Sequence, residues 1–156
     1  MNTPWLDDAQ RAAWVKLVAV TELLPGVLDT QLRRDSGLTH FEYFVLAMLS
    51  ENPERTLRMT SLAQRTNATL PRLSHVVARL ESRGLVQRLP CLEDGRATNA
   101  RLTDAGWTTI VAAAPGHVAN VRRHVIDALS PAQLGQLDDI MTTLLQRLDP
   151  NAHMTV

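Results

Sequence analysis

The apolar residues of this chain recur mostly at three- and four-residue steps, the period of helices packed on one face. Over about residues 6–34, Trp14, Leu17, Val18, Thr21, Leu24, Leu28 and Leu32 keep that step. Asp7 and Asp8 suit the positive end of a helix dipole there, and Arg33 and Arg34 the negative end. Pro25 predicts a kink and Asp35-Ser36-Gly37 a stop. Thr39-His40-Phe41-Glu42 is a capping box opening a second helix, with Phe41, Phe44, Val45, Met48 and Leu49 as its stripe and Asn52-Pro53 as its end. A short helix at about 61–66, with a Ser61…Gln64 box, leads into the turn Thr66-Asn67-Ala68. Thr69 caps the next helix, Pro71 falls in its first turn, and Leu70, Leu73, Val77 and Leu80 point inward. Gly84 and Leu85 complete a Schellman end, with Leu85 set against Leu80.

The rhythm then changes. Residues 85–90 and 97–103 read as two strands around Cys91-Leu92-Glu93-Asp94-Gly95-Arg96, a connection too long for a two-residue hairpin. Thr103-Asp104 caps a helix carrying Trp107, Ile110, Val111 and Ala114. Pro115-Gly116 is expected to interrupt it before Val118, Val121, Val125 and Leu129 continue it. Ser130-Pro131-Ala132-Gln133 is a capping box with Pro at the first helical position. It opens a helix whose Leu134, Leu137, Ile140, Met141, Leu144, Leu145 and Leu148 make the strongest stripe of all.

This order predicts a mainly α fold with a small β wing. A winged helix-turn-helix occupies 38–103, a helical dimerisation region 5–37 and 104–149, and a tail 150–156. The flanking helices carry more apolar surface than so small a domain covers, which predicts a homodimer.

At 156 residues the chain is long enough for a real core. Met1-Asn2-Thr3-Pro4-Trp5-Leu6-Asp7-Asp8 has acids where a signal peptide has bases, and no apolar run approaches membrane-spanning length. The single cysteine, Cys91, excludes an internal disulfide and a cysteine-cluster zinc site. A soluble cytoplasmic protein, with no membrane partner, is the expectation.

Formal net charge is zero, yet the charge is not spread evenly. Residues 55–101 hold nine arginines (Arg55, Arg58, Arg65, Arg72, Arg79, Arg83, Arg88, Arg96 and Arg101) against three acids, Glu81, Glu93 and Asp94. The other residues hold seven bases against thirteen acids, the opposite imbalance. Positive charge gathered in one third of a neutral chain points to an anionic partner, and guanidinium is the better fork for phosphates and guanine edges. Double-stranded DNA fits both requirements.

The helix begun by Thr69 then reads as the recognition helix. Opposite its inner face lie Pro71, His75, Ala78 and Ser82, flanked by Arg72, Ser74 and Arg79. Arg72 is placed to fork onto guanine, and Ser74 or His75 to read an adjacent base edge. Thr60, Ser61 and Thr69 sit at helix starts suited to phosphates, and Arg79, longer and later, is assigned to the DNA backbone. The wing offers Arg88, Arg96 and Arg101. Arg96 stands beside Gly95 at the tip, fit for a narrow minor groove, with Asp94 as the partner that fixes its direction.

Leu62-Ala63-Gln64, the run Leu73-Ser74-His75-Val76-Val77-Ala78-Arg79-Leu80-Glu81-Ser82-Arg83-Gly84-Leu85-Val86-Gln87-Arg88, Asp94-Gly95-Arg96 and Leu102-Thr103-Asp104-Ala105-Gly106 together resemble the MarR family of bacterial transcriptional regulators. The wing signature, Asp-x-Arg and then Leu-Thr after five residues, is met at Asp94, Arg96, Leu102 and Thr103, and the resemblance spans about 5–148. It implies a homodimer on a pseudo-palindromic operator, most often a repressor. It also implies release by a small, often phenolic, effector bound between the dimerisation helices and the DNA-binding lobe. By the same resemblance Arg96 is the minor-groove contact, Asp94 orients it, and residues 69–79 read the major groove. Gly95 departs from the pattern, which often has a basic residue there.

Trp14, His40, Tyr43, Phe44, Met48, Trp107 and His117 are the candidates for an aromatic effector pocket. No two of the five histidines stand four apart on a helix, so no metal site is expected, although His40 and His117 are placed to approach in space. Neither a cofactor nor an enzymatic activity is expected, for want of a phosphate loop or a nucleophile–base motif. Two other readings stay open: a thiol redox sensor through Cys91, with Arg88 or Arg96 lowering its pKa, and a winged-helix protein-interaction module without DNA binding.

Overall fold

The computed structural model describes residues 3–155; Met1, Asn2 and Val156, with whatever the sequence suggests for them, lie outside the described residues. The elements are α1 (Asp8–Ser36), α2 (His40–Glu51), β1 (Thr56–Arg58), α3 (Met59–Arg65), α4 (Leu70–Ser82), β2 (Val86–Pro90), β3 (Thr98–Leu102), α5 (Asp104–Val121) and α6 (Pro131–Leu148), with a π-helical turn at Arg122–Ile126 after α5. The fold is the expected one: mostly helical, with a small antiparallel sheet that carries the wing.

Side-chain caps set most helix starts. Thr39 and Glu42 form a reciprocal box at α2, Ser130 and Gln133 at α6, and Thr69 and Thr103 cap α4 and α5. Asp7 and Gln10 form a third box at α1, so Asp7 acts as a cap and not only as a favourable charge. Gly37, in the left-handed region with φ 65°, ends α1.

α1 is one helix with Pro25 inside it. Two local expectations are corrected. α5 likewise passes through Pro115-Gly116, and the irregularity falls later, at the π turn. Pro115 offers no N–H to the Val111 carbonyl, but Val111 is exposed, where a carbonyl without its helical donor costs little. Gly116 is a packing residue: a Cβ there would meet Gln31 Nε2 at 3.1 Å, where α1 crosses α5. α3 starts at Met59 without a side-chain cap, so Ser61 lies inside the helix and the Ser61…Gln64 box does not form. The cause is β1, a third strand that sequence pattern missed, which feeds directly into α3.

The sheet order is β1-β3-β2, all antiparallel, with Leu57 and Arg88 both opposite Ala100 and Val86 opposite Leu102. Leu38, Val45, Leu46, Leu49, Leu62, Leu73, Val77 and Leu80 are fully buried and join Val86, Ala100 and Leu102 in one core, which Ile110 and Ala113 of α5 close. Gly106 makes that closure feasible, because a Cβ would stand 2.1 Å from the Leu85 carbonyl oxygen. Outside the lobe the picture reverses. α6 has no buried residue, and Trp14, Val15, Val20 and Leu23 of α1 are exposed. Among the described residues, no helix is long and apolar enough to cross a membrane.

Candidate nucleic-acid interface

α4 is specified at both ends. Thr69 Oγ1 accepts from the Arg72 N–H at 3.3 Å. At the far end Gly84 (φ 72°) and Leu85 donate to the carbonyls of Glu81 and Leu80, the Schellman pair. Leu73, Val77 and Leu80 are fully buried. At about 100° per residue, Pro71, His75 and Ser82 then face away from the core. Leu70, Ser74 and Glu81 take one flank, and Arg72, Arg79 and Arg83 the other. Arg72, Ser74, His75 and Arg79 are all exposed, as the recognition-helix reading requires.

The first flank faces the wing. A groove of about 410 Å³ runs between α4 and the sheet, and its walls bring together Thr60, Pro71, Ser74, Arg88 and Arg96. Thr69 stands exposed at the cap, whereas Ser61 is half-buried within α3. Arg88 is not a free cation. It forks onto Glu81 Oε1 at 3.2 and 3.0 Å and adds its backbone N–H to Oε2 at 2.8 Å. That backbone N–H, followed by the guanidinium, holds the Glu81 carboxyl below the usual range. Arg96 is exposed and has no carboxylate partner among the described residues. Asp94 does not pair with its guanidinium. Asp94 Oδ1 accepts from the Arg96 backbone N–H at 3.1 Å, and the Asp94 carbonyl accepts from Ala97, so Asp94 shapes the turn and leaves the Arg96 side chain free.

The second flank faces α2. The Arg72 guanidinium lies 4.0 Å from the centre of the Phe41 ring. Arg79 Nη2 and Arg83 Nη1 approach the Glu42 carboxylate at 3.4 and 3.6 Å. Arg55 and Arg58 pair with Asp104 and Glu93. Five of the nine arginines therefore meet an acid. Sequence reasoning missed Phe41, Glu42 and Glu81 as neighbours of the reading surface; the only local signal was the three arginines sharing one side of α4.

Comparison with known proteins decides what carries this interface. The MarR family model matches residues 38–98. Sco3205 of Streptomyces coelicolor, a MarR family transcriptional regulator solved in complex with DNA, is 42% identical over 96% of this chain and 93% of its own, with a TM-score of 0.91. AbsC, a MarR family transcriptional regulator from the same organism, is 40% identical over 94% of this chain and 98% of its own, with a TM-score of 0.89. This chain belongs to the MarR family.

In this MarR-family regulator only part of the expected effector cluster assembles. The His117 ring lies 4.3 Å from that of Tyr43 and 6.4 Å from that of His40, at the junction of α2 and α5. Burial lowers the pKa of both histidines, opposed at His40 by Asp29, and burial raises that of Tyr43. Phe44 and Met48 are half-buried on α2. Trp107 is not with them: it sits near the opposite end of α5, 4.0 Å below the Arg55 guanidinium. Trp14 stands exposed on α1.

Cys91 is buried behind the wing. The backbone N–H groups of Asp94 and Glu93 lower its thiol pKa, with Arg58 assisting, so the arginines expected to do so, Arg88 and Arg96, are not the cause. Among the described residues no three His, Cys, Asp or Glu side chains are grouped to hold a metal.

Proposed function

We propose that this protein binds a pseudo-palindromic operator in double-stranded DNA as a homodimer, represses transcription there, and lets go when a small aromatic or phenolic molecule binds where the flanking helices meet the lobe. The observation that carries this reading is the open groove shared by Pro71 and Ser74 of α4 and Arg96 of the wing. A helix of this form enters the major groove while the wing's cation reaches the adjacent minor groove. Sco3205, a similar chain solved in complex with DNA, supports the DNA-binding reading.

Ser74 and His75 read base edges, and Arg72 joins them by leaving the Phe41 ring, at a cost of about 0.5–1 kcal/mol. Thr60 and Thr69 meet phosphates, with Ser61 behind them at the start of α3. Arg79 and Arg88, each held by a carboxylate, approach the backbone from fixed positions. The helical region of 5–37 and 104–149 joins the two copies, an assignment supported by the uncovered stripe of α6. His40, Tyr43 and His117 are the seat offered to the effector, since clustered rings at a junction suit a flat aromatic ligand.

Half-sites about 34–36 Å apart are expected. The test is a mobility shift with a duplex from the region upstream of the protein's own gene. Arg96→Ala should weaken binding about tenfold or more while sedimentation still shows the dimer. Unchanged affinity would remove the wing from the interface.

A further inference from the structure

The described residues build three reciprocal capping boxes, and two of them use a neutral, exposed glutamine at the third helical position: Gln10 in α1 and Gln133 in α6. The box at α2 uses Glu42, which is 2% exposed. Capping alone does not call for a charge, and taking a carboxylate out of water is unfavourable unless cations and donors compensate it. Glu42 has both kinds of compensation. Its Oε2 accepts from the Thr39 N–H at 2.9 Å, Arg79 stands 3.4 Å from Oε1, and Arg83 stands 3.6 Å from Oε2. Arg83 also donates to the Gly37 carbonyl oxygen at 3.2 Å, which ties the same point to the end of α1.

Resting on the DNA-binding reading above, we propose that Glu42 is a positioning residue for operator recognition. Its buried charge clamps Arg79 and Arg83, so that α4 meets DNA with two fixed guanidiniums in place of two free ones. A free cation favours any duplex, because neutralising phosphates and releasing counterions is indifferent to sequence. A fixed cation favours only the duplex whose backbone falls in register with the base contacts. Arg72 on the same flank is different: an aromatic ring, not an acid, holds it, and it can be released for reading.

The test uses the full chain and two fluorescent duplexes, one from the region upstream of its own gene and one with that sequence shuffled, titrated over a range of salt. Glu42→Gln keeps side-chain volume and, as Gln10 and Gln133 demonstrate, a group able to complete the box. The preference for the upstream duplex should fall about tenfold. Affinity for the shuffled duplex should hold or rise, its salt slope steepening by about 1–2, near 0.9 per freed cation. A loss equal on both duplexes with unchanged slope is what a purely structural role gives, and overturns the proposal. So does a variant with wild-type preference and slope. Should Glu42→Gln not fold, Arg79→Gln decides. A clamped arginine leaves the slope on shuffled DNA unchanged, and a free one lowers it by about one. Wild-type protein that fails to prefer the upstream duplex strikes the DNA-binding reading itself, a result distinguishable from either failure of the clamp.

Discussion

The winged lobe and the helices that flank it are written in the same apolar rhythm, but the lobe buries its stripes while α6 and the first half of α1 leave theirs open. Val45, Leu46 and Leu49 of α2 and Leu73, Val77 and Leu80 of α4 are wholly buried, while the stripe of α6 leaves Leu134, Ile140 and Leu148 exposed and buries no residue. The local signals are equally good in the two regions. The α6 box of Ser130 and Gln133 is as complete as the α2 box of Thr39 and Glu42. Periodicity thus tells which face of a helix is apolar; it does not tell what lies against that face. For the lobe the answer is the chain itself. For α6 and the first half of α1, the proposed homodimer supplies it.

The sharpest way to break the comparison is to cut a side chain from each region. Leu80→Ala in the lobe should cost about 2–5 kcal/mol. In the proposed dimer that loss should be much the same at low and high protein concentration, as read by urea unfolding. Ile140→Glu in α6 should change the single chain little, since the position is exposed. In the dimer it places a charge in an apolar contact. The dimer's dissociation constant should then rise about a hundredfold, roughly 3 kcal/mol, and the melting temperature should lose its dependence on concentration. If Ile140→Glu sediments as wild type, the α6 stripe does not join two copies.

Much of this was legible because it is local. Thr39, Thr69, Thr103 and Ser130 each cap the helix that sequence assigns them, and Gly84-Leu85 closes α4 as its motif requires. What failed was non-local. β1 is three residues long and exists because β3 lies beside it, a pairing some forty residues distant in the chain. Pro115 and Gly116 read as breakers, yet solvent and the close passage of α1 make both tolerable. The arginine excess was visible in composition. Which cations are held was not, because Glu42 lies far along the chain from Arg79 and Arg83, and its capping role already explained it. Asp94 is the mirror case: closeness in sequence suggests the Arg96 guanidinium as its partner, and the same closeness favours a bond to the backbone instead.

The smallest effect lies where the two regions meet. His40 belongs to the lobe and His117 to α5, and burial lowers the pKa of each below the value near 6.5 of an unfolded histidine. A depressed folded pKa means that the unfolded chain binds the proton more readily. The stability these residues lend is therefore complete above about pH 6.5 and is lost as pH falls from there toward the folded pKa. Asp35, at about 2, and Glu81, also lowered, lose their contributions only in stronger acid, so neither carboxylate accounts for a fall between about pH 7.5 and 5. Urea unfolding across that interval should show stability falling toward acid, and His117→Phe should flatten the slope, because the ring stays while the proton site goes. Among the described residues His117 Nδ1 has no hydrogen-bond partner, so that substitution removes an unsatisfied nitrogen as it removes the titration. An unaltered slope in His117→Phe would mean that the junction does not sense protons, and the lobe and its flanking helices would then be joined there by packing alone.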